Sequence, residues 1–291
     1  MKNRLKDNVV VITGSTRGFG YAIAKSMLKA GATVIITGRS EEATHRAVDS
    51  LKGSGPVSSE QLDVRNEAQV HHVVQRIVEK FGHIDIWINN AGYSSSAGMI
   101  LDINPQEALD MFLANDLGLF YCTQAVMEHM IPRKAGMLVN IYGQGSFLRP
   151  ASPTGLYGAT KAWLTSFTRS LARELKGSGI KILGFSPGMI LTDMLTSPHV
   201  VGERGREMMK RYDFVLRFLA GKPENAAEKL IQSISTQKKE FAEVQLFKPW
   251  TPFLGILRVT WENLTKTGKT PEFELHHQEA YRYKYPKGNN E

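Results

Sequence analysis

The sequence predicts an α/β fold: a doubly wound parallel sheet of about seven strands with helices on both faces, followed by a C-terminal extension. Three observations carry this reading. Short β-branched runs alternate with longer stretches of helical period, which is the pattern of βαβ units with right-handed crossovers. The strand runs are apolar almost throughout, as strands covered on both faces must be. A glycine-rich turn joins the first strand to the first helix.

Five runs read as strands: "VVVIT" (9–13), "ATVIIT" (32–37), "IDIWIN" (84–89), "MLVNIY" (137–142) and "IKILGFS" (180–186). Weaker strands near 56–62 and 244–247 bring the count to seven. The rhythm divides the chain into one catalytic domain, residues 1–247, and a C-terminal apolar extension with a basic tail, residues 248–291. Within the first, 193–220 reads as a lid: a polar, mobile stretch at 194–205 precedes the amphipathic "REMMKRYDFVLRFLAG", a helix placed to close over a ligand. The extension opens with "FKPWTPFLGILRVTWENL" and ends with "YRYKYPKGNNE", whose last residues are expected to be disordered.

With 291 residues, 42% of them hydrophobic, the chain can bury a sizeable core. Its net charge of +8 suits nucleic acid, an anionic membrane or a phosphorylated ligand. The basic residues are scattered and no nucleic-acid motif appears, so nucleic acid is set aside as a partner. A single cysteine, Cys122, excludes an intrachain disulfide and fits a reducing compartment. The first strand begins within nine residues, so no targeting segment is expected, and no apolar run reaches the roughly 20 residues needed to span a bilayer. The expectation is a cytoplasmic protein, at most peripheral to a membrane. His71 and His72 have no partners at metal-ligand spacing, and no metal is expected.

The turn "TGSTRGFG" places Gly14, Gly18 and Gly20 where the backbone must pass close to a pyrophosphate, and the following helix N-terminus offers its unpaired N–H groups to the anion. Ser15, Thr16, Arg17 and Phe19 complete that candidate cofactor loop. At the end of the second strand, where a carboxylate would accept hydrogen bonds from a ribose 2′-hydroxyl, stand Gly38, Arg39 and Ser40. Arg17 and Arg39 put cations where a 2′-phosphate would lie, which favours NADP(H) over NAD(H). Further along, Tyr157 and Lys161 lie at i and i+4 and share one helix face.

"TGSTRGFG" (13–20), "LDV" (62–64), "NNAG" (89–92), Asn115, "YGATK" (157–161) and "SPGMILT" (186–192) appear in one fixed order. This set resembles the short-chain dehydrogenase/reductase superfamily from about Lys6 to Phe247. The resemblance implies a Rossmann fold, with Tyr157 as acid/base, Lys161 holding the nicotinamide ribose hydroxyls and Asn115 anchoring a water in a proton relay. It places Asp63 at the adenine amino group with Val64 beside it, and Asn90, Ala91 and Gly92 along the ribose. Pro187, Gly188 and Thr192 would seat the carboxamide. It also implies a homodimer or homotetramer through helices near 105–130 and 155–176. A phenol with an ordinary pKa near 10 is a sluggish acid, and the neighbouring ammonium is expected to lower it.

One departure stands out. Members of this family usually carry a serine thirteen residues before the tyrosine, and position 144 here is Gln. Either Gln144 donates from its amide in the serine's place, or Ser146 reaches in from a shifted loop, or activity is lost; Gln144 ranks slightly ahead. The "GQGS", "YGATK", "SPGMILTDMLTS" and "TPFLGILRVTW" segments resemble the chlorophyll(ide) b reductase branch, which reduces a formyl group on a tetrapyrrole. The implied function is NADPH-dependent reduction of an aldehyde or ketone on a bulky apolar substrate. The alternatives are oxidation of another hydrophobic alcohol of steroid, retinoid or lipid type, and an idle NADP(H)-binding scaffold. Trp250, Phe253, Leu254, Ile256, Leu257 and Trp261 form a pocket wall, a membrane-facing surface at 247–264, or a helix that caps the sheet or meets a sister subunit.

Overall fold

The computed structural model describes residues 4–248, 250–265 and 271–282. Seven strands, β1 (Val9–Ile12), β2 (Thr33–Gly38), β3 (Val57–Gln61), β4 (Ile86–Asn89), β5 (Gly136–Ile141), β6 (Ile180–Ser186) and β8 (Phe241–Gln245), form one sheet in the order β3-β2-β1-β4-β5-β6-β8. Every neighbouring pair is parallel. The strand order reverses beside β1, and the crevice at that switch point is where such sheets bind ligands. Two short strands, β7 (His199–Val201) and β9 (His276–Gln278), form a separate parallel ribbon that the sequence rhythm did not signal.

Helices α1 (Gly18–Lys29), α2 (Glu41–Leu51), α3 (Glu67–Phe81), α4 (Pro105–Phe112), α5 (Gly118–Arg133), α6 (Gly155–Glu174) and α10 (Pro223–Thr236) cover the sheet. The period of two within β1 explains its unbroken apolar run. Val10 and Ile12 join Ile23 and Met27 of α1 and Leu230 and Ile231 of α10 on one face. On the other, Val9 and Val11 meet Val70, Val73 and Ile77 of α3 and Val126 and Met130 of α5. Each such side chain, fully buried, contributes about 1.5–3 kcal/mol of transfer free energy.

Local signals place the helix ends. Ser40 caps α2 by accepting from Ala43 N, Asn66 caps α3 by accepting from Gln69 N, and α3 stops at Gly82 in a left-handed conformation. The helical stretch from 105 to 133 is interrupted: a π-helical turn, Leu113–Leu117, joins α4 to α5 and buries Asn115 and Asp116. Turns of this kind widen a helix locally and re-aim its side chains.

The lid differs from expectation in two ways. The polar stretch expected to be a mobile connection forms α7 (Asp193–Thr196), β7 and the start of α8 (Gly202–Met208), with Val200 and Val201 buried. The single helix expected from Arg206 is broken after Met208 and resumes as α9 (Tyr212–Leu219). Strand β8 begins three residues earlier than the sequence suggested. Its alternating Glu243 and Gln245 belong to a half-buried edge strand, which reads less clearly than a central one.

Beyond β8, α11 (Thr251–Leu264) lies along α9, where Arg258 donates to the Arg217 and Phe218 carbonyls. The chain then returns past α7 and β7. Glu274 N bonds Thr196 O at 2.8 Å, β9 pairs with β7, and Tyr281 N bonds Asp102 O at 2.9 Å. Trp250, Phe253, Ile256, Leu257 and Trp261 are exposed, so the described chain does not enclose them as a pocket wall. The Leu254 side chain and tail residues 283–291 lie outside what is described.

Candidate active site

The cofactor turn is built by close backbone approach. Gly14 has φ +62°, and a Cβ at Gly20 would sit 2.5 Å from Gly14 O, so the turn can carry no side chain there. Asn90 fixes the turn to the end of β4, donating from Nδ2 to Thr13 O at 2.9 Å and Gly14 O at 3.1 Å. The backbone N–H groups of Asn90 and Ala91 both donate to Thr13 Oγ1 at 2.9 Å. Thr13, quoted in the motif but given no role, is therefore the hub that joins β1 to β4.

The N-terminus of α1 has no side-chain cap and no acidic residue in its first turn. Its first N–H groups and positive dipole end suit an anion, so the turn fits a dinucleotide pyrophosphate. The predicted residues divide there. Gly18 packs towards Thr192 of the turn after β6, while the Phe19 side chain is in the core. Ser15 is committed to the sheet: its N–H donates to Thr37 O, and its hydroxyl donates to Ile12 O and accepts from Thr37 N. Thr16 packs beside Gly38. Arg17 is exposed and pairs with Asp193 at the start of the lid, 2.8 Å apart.

At the ribose end, Arg39 is exposed and the Ser40 hydroxyl is used as the α2 cap. Asp63 is held by Arg65 at 2.6 Å, and that hydrogen bond keeps its carboxyl below the usual range. Arg65 was missed by the sequence reading, although it follows "LDV" directly. Val64 is buried against Gly118, and Gly92 lies against Asn115. Pro187 is half-buried and Gly188 adopts φ +75° beside Phe247.

The catalytic candidates converge from three elements. Asn115 Oδ1 accepts from Tyr93 N at 3.0 Å, and its Nδ2 donates to Tyr93 O at 2.9 Å and Thr160 Oγ1 at 3.2 Å. This ties the π turn to the loop after β4 and to α6. On α6, Tyr157 is half-buried, and its hydroxyl reaches the backbone after β5: a Cβ at Gly143 would sit 2.5 Å from Tyr157 Oη. Lys161 is buried, donates to Ile141 O at 3.1 Å, and has its Nζ 5.5 Å from the Tyr157 ring centroid.

Burial pushes the Tyr157 phenol up to about 12, and burial lowers Lys161 to about 8 against the opposing pull of Asp116. The sequence reading expected the ammonium to lower the phenol. Here Nζ lies over the ring and bonds a backbone carbonyl, and desolvation dominates.

The loop between β5 and α6 separates the two serine substitutes. Ser146 is buried, donates to Lys161 O at 3.2 Å and accepts from Gly143 N at 3.3 Å, so its hydroxyl braces the loop. Gln144 is exposed, with its amide unbonded among the described residues.

Comparison with known proteins gives the chain its family. Residues 8–199 match the short chain dehydrogenase family model, and the chain belongs to that family of NAD(P)-dependent oxidoreductases acting on hydroxyl and carbonyl groups. It is 35% identical to chlorophyll(ide) b reductase NOL, chloroplastic, of Arabidopsis thaliana, over 77% of this chain and 64% of that protein. It is 33% identical to a 3alpha-hydroxysteroid dehydrogenase of Mediterraneibacter gnavus, over 66% of this chain and 78% of that one. A short-chain dehydrogenase from Streptomyces avermitilis superposes with a TM-score of 0.72 at 28% identity, covering 89% of this chain and 95% of that one.

Proposed function

We propose that this chain is an NADP(H)-preferring reductase of an aldehyde or ketone carried on a bulky apolar body, the formyl group of chlorophyll(ide) b being the leading candidate. The carrying observation is the Tyr157 hydroxyl set at the mouth of the β5 loop with buried Lys161 one turn below it. Likeness to a chlorophyll(ide) b reductase and to a hydroxysteroid dehydrogenase supports a polycyclic apolar substrate. NADP(H) preference rests on Arg39 and the lack of a carboxylate at Gly38–Ser40.

When bound, the nicotinamide supplies the hydride for the carbonyl carbon. Tyr157 donates its proton to the carbonyl oxygen; it carries that proton at neutral pH, which is the form reduction consumes. The Gln144 amide donates a hydrogen bond to the same oxygen. Lys161 would hold the ribose hydroxyls, and Asn115 ties the loop after β4 to α6 by accepting from Tyr93 N and donating to Thr160 Oγ1. Phe120 and Trp163, exposed on α5 and α6, are the proposed subunit contacts.

The test is NADPH oxidation, followed by absorbance, against chlorophyllide b and a panel of polycyclic aldehydes and ketones. Turnover of at least one of them, faster with NADPH than with NADH, is expected. Cofactor binding without turnover across the panel would favour the idle scaffold instead.

A further inference from the structure

Asp116 follows Asn115 in the π-helical turn, and neither the sequence motifs nor the mechanism above uses it. Its side chain is only 6% exposed, and its Oδ1 is buried with no hydrogen-bond partner. A buried carboxylate left in that condition costs stability, so its presence calls for a compensating partner. The partner is on α6: Asn115 Nδ2 donates to Thr160 Oγ1 at 3.2 Å, which sets the π turn beside that helix, and Asp116 and Lys161 are the next residue of each. Lys161 draws the Asp116 carboxyl towards its ionised form, and Asp116 does the same for the ammonium. Tyr157, the other titratable group of that helix face, stays neutral until about 12.

Lys161 needs such help. The residue is 8% exposed, and its ammonium donates to Ile141 O at 3.1 Å. The role given to Lys161 above, holding ribose hydroxyls, needs it charged.

We propose that Asp116 is a positioning residue for Lys161: a buried counter-charge that keeps the lysine protonated at working pH while leaving its donors free for cofactor and substrate. This rests on the role given to Lys161 above. Burial raises the Asp116 carboxyl and lowers the Lys161 ammonium, and each charge opposes the other's shift. As pH rises the ammonium is lost, and as it falls the carboxyl takes up a proton and its support ends. Removing the carboxylate lowers the lysine's titration midpoint, so activity is lost at a lower pH on the alkaline side and is little changed on the acid side.

The direct measurement is an NMR titration of the full-length protein labelled with 13C at lysine Cε, the Lys161 signal being assigned by its loss in Lys161→Arg. Asp116→Asn should lower the Lys161 midpoint by about one pH unit or more, and Asp116→Glu should restore most of it. The alkaline limb of NADPH oxidation with 4-nitrobenzaldehyde should move by the same amount. In the wild type alone, the Lys161 signal should also show a minor step at the Asp116 midpoint, as coupled groups do. An unchanged midpoint in Asp116→Asn overturns the inference; so does a one-step wild-type titration should that variant fail to fold. Full turnover in Tyr157→Phe would instead overturn the underlying catalytic assignment.

Discussion

The two ends of the ligand cleft are held together by different means. The nucleotide end is fixed by the sheet: Thr13, Asn90 and the glycine turn are bonded strand to strand, with Val10, Ile12 and Val11 wholly buried beneath them. The proposed cover of the substrate end, α7 to α9, α11 and the returning 271–282 segment, is joined through the two short strands of the β7–β9 ribbon and exposed ion pairs such as Arg206–Glu279. Exposed pairs of that kind contribute roughly 0–1 kcal/mol each. The proposed chemistry is thus anchored to the large sheet, and the proposed choice of substrate to the segments outside it.

Damage should be largest where the chemistry meets the rigid end. Tyr157→Phe removes the proton donor and leaves the phenyl packing in place, so turnover should fall by about 10²–10⁴ while NADPH affinity, read by fluorescence, stays within about twofold. Equal turnover would contradict the assignment. Next comes Gln144→Ala, which should lower kcat by about 10²–10³, the cost of one oxyanion donor. Ser146→Ala should also lower the thermal midpoint, because Ser146 braces Gly143 and Lys161. A kcat loss confined to Ser146→Ala, with the midpoint unmoved, would give that serine the donor role.

This contrast also governs what the sequence could reveal. Central strands announce themselves because both faces are buried, as in β1 and in β6, whose bounds 180–186 match the apolar run residue for residue. Tyr157 and Lys161 stand out in the sequence because they share a helix face at i and i+4, and Asn115 through the family resemblance; the fold brings α6 and the π turn together at 3.2 Å through Asn115 and Thr160. Asp116 was not, since a lone carboxylate after an asparagine looks like any polar helix residue until the π turn buries it. The β7–β9 ribbon was also hidden: three-residue strands far apart in the chain carry no period, and "HVV" and "HHQ" have no alternation to read. In the same way, Ser15 and Phe19 sit in the right turn, but their side chains serve the sheet and the core.

Cofactor choice sharpens the comparison, because Arg39 belongs to the rigid end but is itself exposed. Arg39→Ala removes a charge-assisted contact to a 2′-phosphate, worth about 1.5–3 kcal/mol, so KM for NADPH should rise about 10- to 100-fold while KM for NADH hardly moves. Equal effects on both cofactors would mean that the arginine does not read the phosphate. Arg17 should matter less, since its guanidinium is already engaged by Asp193.

The smallest effect is expected at the cover, and it is the most informative about substrate. Ending the chain after residue 270 removes β9, the Tyr281 bond to Asp102 and the Arg282 ion pair, and leaves β7 with a free edge. Among the described residues, no residue of the large sheet loses a partner, so the thermal midpoint should change little and NADPH affinity should hold within about twofold. The 96–102 loop would lose its tie to the returning segment, where Ser96 Oγ donates to Gln278 Oε1 at 3.2 Å, while Ala97 keeps its own backbone bonds to His199 and Val201. A large apolar substrate touches that cover and a small aldehyde does not, so KM should rise about threefold to tenfold for polycyclic carbonyls and stay constant for 4-nitrobenzaldehyde, the scale of one or two weak surface contacts. An equal loss for both classes would mean that the returning segment supports the catalytic groups as well as the substrate, and the division between the two ends would have to be redrawn at the loop after β4.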